Sequence, residues 1–152
     1  MQPLKPGEVY NVIIAGMGGE TIAQILSYDW EKAGSFTCFV FQPMSRPGFL
    51  RKVLAHQGWE IRDERLVWQN RRFFAMIKVV PGNIPYRLTP LETEAGPILL
   101  RQDDPLVQAY RQWLQKKYQR LRKSLLGSKT SPNNELLAET EEKLRELEVY
   151  LR

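Results

Sequence analysis

The sequence predicts an α/β protein in which a parallel-type sheet is followed by an antiparallel helical hairpin of coiled-coil type. Residues 1–82 alternate short apolar runs with amphipathic helical stretches, the pattern of helices covering a parallel sheet. The first of those runs ends in Gly16-Met17-Gly18-Gly19, a strand-to-helix bend in which glycine permits either a tight turn or close approach to the backbone. From residue 104 onward the apolar period is helical and is broken only by one short turn, which makes two helices antiparallel neighbours.

Each element has its own signal. Val9 to Ala15 is a buried-type strand, and a helix follows from Glu20 because Ile22, Ile25 and Leu26 share one face. Phe36 to Phe41 is a second strand, closed by Gln42-Pro43 because proline cannot donate to a ladder. Phe49, Leu50, Val53 and Leu54 mark a helix that Gly58 ends as a left-handed cap. The period then changes. Trp59–Arg62 and Arg65–Trp68 lead to a turn at Gln69-Asn70-Arg71, and Phe73–Val80 returns as the antiparallel partner until Pro81-Gly82.

Residues 83–103 carry several prolines and little periodicity and read as a connector. Asp104-Pro105 opens a long helix, with the aspartate as cap and proline at the first helical position. Its stripe runs through Leu106, Tyr110, Trp113, Leu114, Tyr118, Leu121 and Leu125, and the three aromatics are expected in the hairpin core rather than as base-stacking platforms. After Gly127, Ser131-Pro132 repeats the start signal for a second helix striped by Leu136, Leu137, Leu144, Leu147 and Leu151. The expected divisions are 1–82, 83–103 and 104–152.

Composition excludes several classes. The lone Cys38 sits in an apolar run, so there is no disulfide framework and a reducing cytoplasm is the expected home. No charged and apolar leader opens the chain, and no apolar run reaches the roughly 20 residues of a membrane span. The net charge of +5 permits nucleic acid as a partner without requiring it. The first tail helix holds Lys116, Lys117 and Arg120 among its basic residues, whereas the second is rich in glutamate. A paired, solvated face and a phosphate-binding face both remain open there.

The segment Ala15-Gly16-Met17-Gly18-Gly19 is the informative one, because open α/β sheets bind ligands beyond the carboxyl ends of their strands. Its spacing is neither the dinucleotide G-x-G-x-x-G nor a phosphate loop with Gly-Lys-Ser/Thr, so a purely structural turn is the competing reading. Context adds Phe41-Gln42-Pro43-Met44, Leu50-Arg51, Gly58-Trp59-Glu60-Ile61, Asp63-Glu64, an aromatic-rich closing strand and Gly96-Pro97-Ile98-Leu99-Leu100. In this order and spacing the chain resembles the TrmK-like tRNA (adenine-N1)-methyltransferases.

That resemblance implies the second half of a class I, Rossmann-like methyltransferase sheet and the family's coiled-coil tail. It implies S-adenosylmethionine as cofactor, tRNA as substrate, and Ala15, Gly16, Met17, Gly18 and Gly19 beside donor and base. Gln42 and Pro43 would face the same cleft, and Arg46, Lys116, Lys117 and Arg120 are candidate tRNA contacts, although solvation explains Arg46 equally well. The departure lies at the front. Family members begin with a loop of the D-I-G-[ST]-D-H kind and a strand ending in a ribose-binding carboxylate, and nothing similar precedes Val9. The expectation is a C-terminal part, inactive or incomplete by itself, whose edge strand at residues 9–15 pairs with a second copy or a separately encoded N-terminal piece. The alternative is a non-catalytic tRNA- or protein-binding module built on a methyltransferase remnant. No catalytic acid or base stands out. His56 reads as a surface residue, and Asp63 and Glu64 read as turn or edge residues.

Overall fold

Four strands organise the first part of the chain: β1 (Asn11–Met17), β2 (Cys38–Pro43), β3 (Glu60–Gln69) and β4 (Arg72–Val80), in the order β1-β2-β4-β3. The structure, a computed structural model, describes residues 10–127 and 133–152. It divides into two compact units, residues 1–88 and 89–152. In the first, β1 and β2 are parallel while β4 runs antiparallel to both β2 and β3. The helices α1 (Gly19–Ser27), α2 (Trp30–Gly34) and α3 (Pro47–Gln57) connect the parallel strands and lead into β3. The core joins Phe39, Phe41, Ile77 and Val79 of the sheet to Ile22, Leu26, Leu50 and Leu54 of α1 and α3, all at most 3% exposed.

Among the described residues β1 is an edge strand. Its Ile13 is 74% exposed, and the expected start at Val9 lies outside the described residues. The strand runs on to Met17 because Gly16 bulges out of register between Ala15, which faces Gln42, and Met17, which faces Pro43. The short α2 adds a helix that the apolar period does not signal. Asp29 starts it by accepting a hydrogen bond from the Lys32 amide at 2.9 Å. Gly58 closes α3 in the left-handed conformation, as its position predicts, and His56 is exposed in the last turn.

A second irregularity corrects the sequence reading of Glu64. Between Ile61 and Asp63 the β3–β4 register slips by one residue, so Glu64 lands opposite Ile77 on the buried face. There it accepts from Arg51 of α3 at 2.8 Å, with both side chains at most 1% exposed. Asp63 stays near the surface and pairs with Arg65 at 3.2 Å.

In the second unit, α5 (Pro105–Leu126) and α6 (Asn134–Tyr150) pack together. They run antiparallel: Arg111 near the start of α5 donates to the Tyr150 carbonyl at 3.2 Å, and Arg122 near its end pairs with Glu141 at 2.9 Å. Asp104 caps α5 through the Leu106 and Val107 amides. For α6 the cap is Asn133, which accepts from the Leu136 amide, while the expected pair Ser131-Pro132 lies outside the described residues.

Residues 83–103 are not one connector, because the boundary between units falls after Leu88. Beyond it, α4 (Pro90–Ala95) and a 3-10 turn at Leu99–Arg101 form with buried apolar faces. Leu91, Ala95 and Leu100 join Leu114, Tyr118 and Leu147 in one cluster. Pro90 occupies the first turn of α4, where the missing amide costs nothing, and Thr89 and Glu92 complete a reciprocal capping box. Trp113 also departs from expectation. It is 46% exposed and stacks on Tyr110 at 5.9 Å, whereas Tyr118 is buried.

Candidate active site at the strand tips

The glycine-rich bend lies at the carboxyl end of β1, and its five residues do different work. Gly16 takes φ +76°, and a Cβ there would meet nothing within 4 Å, so backbone conformation rather than space demands glycine. Its amide leaves the ladder and donates to Gln42 Oε1 at 3.1 Å. Gln42 Nε2 in turn donates to Met44 Sδ at 3.4 Å. Ala15, Gly16 and Met17 are exposed, Met17 at 42%.

Gly19 is a packing residue. A Cβ would stand 2.3 Å from the Arg46 carbonyl oxygen, and the Gly19 amide already donates to the Ser45 carbonyl at 2.7 Å. Gly18 is intermediate, since a Cβ would meet Ser45 Oγ at 3.0 Å. The Met44 amide completes the seam by donating to the Met17 carbonyl at 2.8 Å. The structure therefore brings residues 15–19 together with Gln42, Pro43 and the 44–46 turn. Pro43 is buried beneath this seam, and Gln42 faces the bend.

Arg46 is the N-cap of α3 and adopts φ +50°, rare for a residue with a side chain. Its guanidinium pairs with Glu20 and lies 5.6 Å from the Phe49 ring centroid. It is thus a cation already partly satisfied at the lip of the bend.

Lys116, Lys117 and Arg120 belong to the second unit, on α5. Lys117 pairs with Glu94, whereas Lys116 and Arg120 are exposed and form no ion pair among the described residues. Glu94 also takes Lys143 at 2.9 Å, and Lys143 reaches Glu139 at 2.6 Å. Burial alone would raise the Glu94 carboxyl, but hydrogen bonds and charge from Lys117 and Lys143 outweigh it and hold the group below the usual range. Burial likewise opposes the charge on Lys143, and its bonds to Glu139 and Glu94 prevail and raise it. The Tyr118 phenol, desolvated first and then repelled by Glu94, is pushed well above its ordinary value and stays protonated.

Among the described residues no cluster of His, Cys, Asp and Glu could hold a metal, and no helix is long and apolar enough to cross a membrane. For a methyl donor the bend offers one wall: open backbone at residues 15–17 with the Gln42 amide as its polar neighbour. No described strand flanks the other side of β1.

A methyltransferase-domain family profile matches residues 1–77. A provisionally named tRNA methyltransferase of Mycoplasma genitalium is 37% identical over 93 residues, covering 60% of this chain and 41% of that protein. A Streptococcus pneumoniae structure provisionally described as a tRNA (m1A22) methyltransferase in complex with S-adenosyl-L-methionine superposes with a TM-score of 0.73 at 25% identity, covering 98% of this chain and 64% of that one. The Bacillus subtilis m1A22 tRNA methyltransferase TrmK shares the fold, with a TM-score of 0.78 at 20% identity over 98% of this chain and 66% of its own. The chain thus spans about two fifths of the curated relative it matches and under two thirds of the pneumococcal structure. With its Rossmann-type sheet, exposed bend and matched profile, the chain belongs to the methyltransferase-domain family, and its likeness is to the TrmK-like members.

Proposed function

We propose that this chain is the C-terminal part of a tRNA adenine-N1-methyltransferase that uses S-adenosylmethionine. The observation that carries the reading is the exposed Ala15-Gly16-Met17 bend at a strand tip, held against Gln42. The donor supplies an electrophilic methyl group on a sulfonium. The chain's own contribution is positional. Ala15, Gly16 and Met17 line the approach to the methyl carbon, with Gly18 and Gly19 fixing the bend from behind, and Gln42 orients it through the Gly16 amide. An adenine must leave its stack to present N1, which lies on its pairing edge, and in-line placement then supplies most of the rate. As the N1–C bond forms, the C–S bond breaks and its electron pair stays on sulfur.

The free edge of β1 supports a second part of the reading. A strand from the N-terminal half of the same fold, on a separate piece or the same polypeptide, seats against Asn11–Ala15 and completes the donor pocket, because an open edge with an exposed isoleucine favours pairing. Self-association through that edge is the competing outcome. Cytoplasmic placement accompanies a tRNA substrate. The direct test is incubation with S-adenosylmethionine and unmodified tRNA, followed by mass spectrometry of the nucleosides. 1-Methyladenosine formed by the purified chain establishes the activity and removes the need for a completing piece. Calorimetry that detects no donor binding even after the N-terminal half of the fold is supplied, while tRNA still binds, favours the alternative, a non-catalytic tRNA- or protein-binding module. Lys116 and Arg120, exposed and outside any ion pair among the described residues, give that alternative its footing.

A further inference from the structure

The β3–β4 hairpin outruns the rest of the sheet on the side where the bend lies. β2 pairs with β4 only through Phe39–Val79, Val40–Lys78 and Phe41–Ile77, whereas β4 begins at Arg72. Because β2 and β4 are antiparallel, residues 72–74 and their β3 partners project past the end of β2 at Pro43. β1 is parallel to β2 and ends beside it, so the projection rises at the same strand tips as the glycine bend. The two are also bonded. The Arg72 guanidinium donates to the Met44 carbonyl at 3.4 Å, and the Met44 amide donates to the Met17 carbonyl.

The projection has an unusual surface. Its turn residues, Asn70 and Arg71, have φ +51° and +59°, the two-residue hairpin turn whose twist matches the strands. Glycine is favoured at the second of these positions, yet the chain places an arginine there, next to Arg72. Trp68 is 49% exposed and meets Phe73 across the strands at 4.5 Å, and Arg72 lies 5.3 Å from the Phe74 ring centroid. Between residues 65 and 80 there are four cations, Arg65, Arg71, Arg72 and Lys78, and no acid. Paired guanidiniums beside an exposed aromatic face match unpaired RNA, whose bases stack on rings and whose phosphates take arginine.

We propose that this tip grips unpaired nucleotides next to the target base, with Trp68 as the stacking face and Arg71 and Arg72 as the phosphate contacts. The proposal rests on the tRNA substrate proposed above and assigns residues to it. The test is equilibrium binding of a fluorescent tRNA transcript to the purified chain across salt, with Arg71→Gln/Arg72→Gln, Trp68→Ala, Trp68→Phe and, as a control, Lys52→Gln at an exposed position of α3. The double arginine variant is expected to bind about tenfold more weakly and to lower the log–log salt slope by about two, one for each phosphate that an arginine no longer neutralises. Trp68→Ala is expected to bind about tenfold more weakly with the slope unchanged, and Trp68→Phe to recover most of that affinity, since stacking needs a ring and not an indole. Quenching of tryptophan emission by RNA should shrink in Trp68→Phe while its affinity persists, a combination that loss of folding would not produce. If wild-type protein binds tRNA and the tip variants match it in affinity and slope, the assignment to the tip is overturned and the substrate reading survives. If wild-type protein binds no tRNA, the substrate reading fails and takes this one with it.

Discussion

Gly16 and Gly19 sit three residues apart and fail for different reasons when replaced. At Gly16 an alanine has room but must hold a left-handed conformation, at a cost of roughly 1–2 kcal/mol. At Gly19 the conformation is ordinary, but the methyl would collide with the Arg46 carbonyl, which belongs to backbone and cannot swing aside. Gly19→Ala should therefore destabilise more than Gly16→Ala, by about 2–3 kcal/mol or more in denaturant titrations. Equal midpoints would contradict the division of labour within the bend. The buried pair makes a second residue-level prediction. Glu64→Gln removes the carboxylate that the buried Arg51 guanidinium donates to and should cost roughly 3–5 kcal/mol, whereas Arg51→Met combined with Glu64→Leu should cost far less. The bend is visible in the sequence but this pair is not, because the extra residue at Arg62 reverses which side chains face inward and no local pattern announces the slip.

Elements with a start signal and a sustained stripe are legible. Asp104-Pro105 marks α5 at its observed first residue, and Gly58 marks the end of α3. The β3–β4 pair and its turn follow from aromatic and β-branched runs around Asn70-Arg71. α4 escapes a reading in which prolines count as breakers, although Thr89-Pro90-Leu91-Glu92 holds both a capping box and a tolerated helix-start proline. Trp113 escapes it too, because it flanks the apolar stripe and only contact with α4 and α6 decides which residues of α5 are covered. The ion pairs of α4 with its neighbours predict a pH response. The depressed Glu94 carboxyl contributes stability that is present above its unfolded pKa and is lost as pH falls through its lowered folded value. The raised Lys143 contributes stability that is present below its unfolded pKa and fades as pH rises through the higher folded one. Helical melting temperatures should thus fall on the acid side below the usual carboxylate range, and Glu94→Gln, facing Lys117, Lys143 and the Tyr118 ring, should flatten that limb. An unchanged acid limb would remove Glu94 from the account.

At the scale of the whole molecule, the sheet class and the helical tail can be read from period alone, whereas the division after Leu88 requires knowing which apolar residues meet. The open edge is a property of the strand order, in which β1 comes last among the described residues. Along a strand paired on one side, alternate amides point away from the partner. In β1 those outward amides have no ladder bond among the described strands, so deuterium should replace their protons quickly while inward ones resist. The strand thereby carries its own occupancy gauge. Seating a neighbour along Asn11–Ala15 would slow the fast half of these amides and leave the slow half alone, and that alternating signature would distinguish a docked strand from general tightening of the fold.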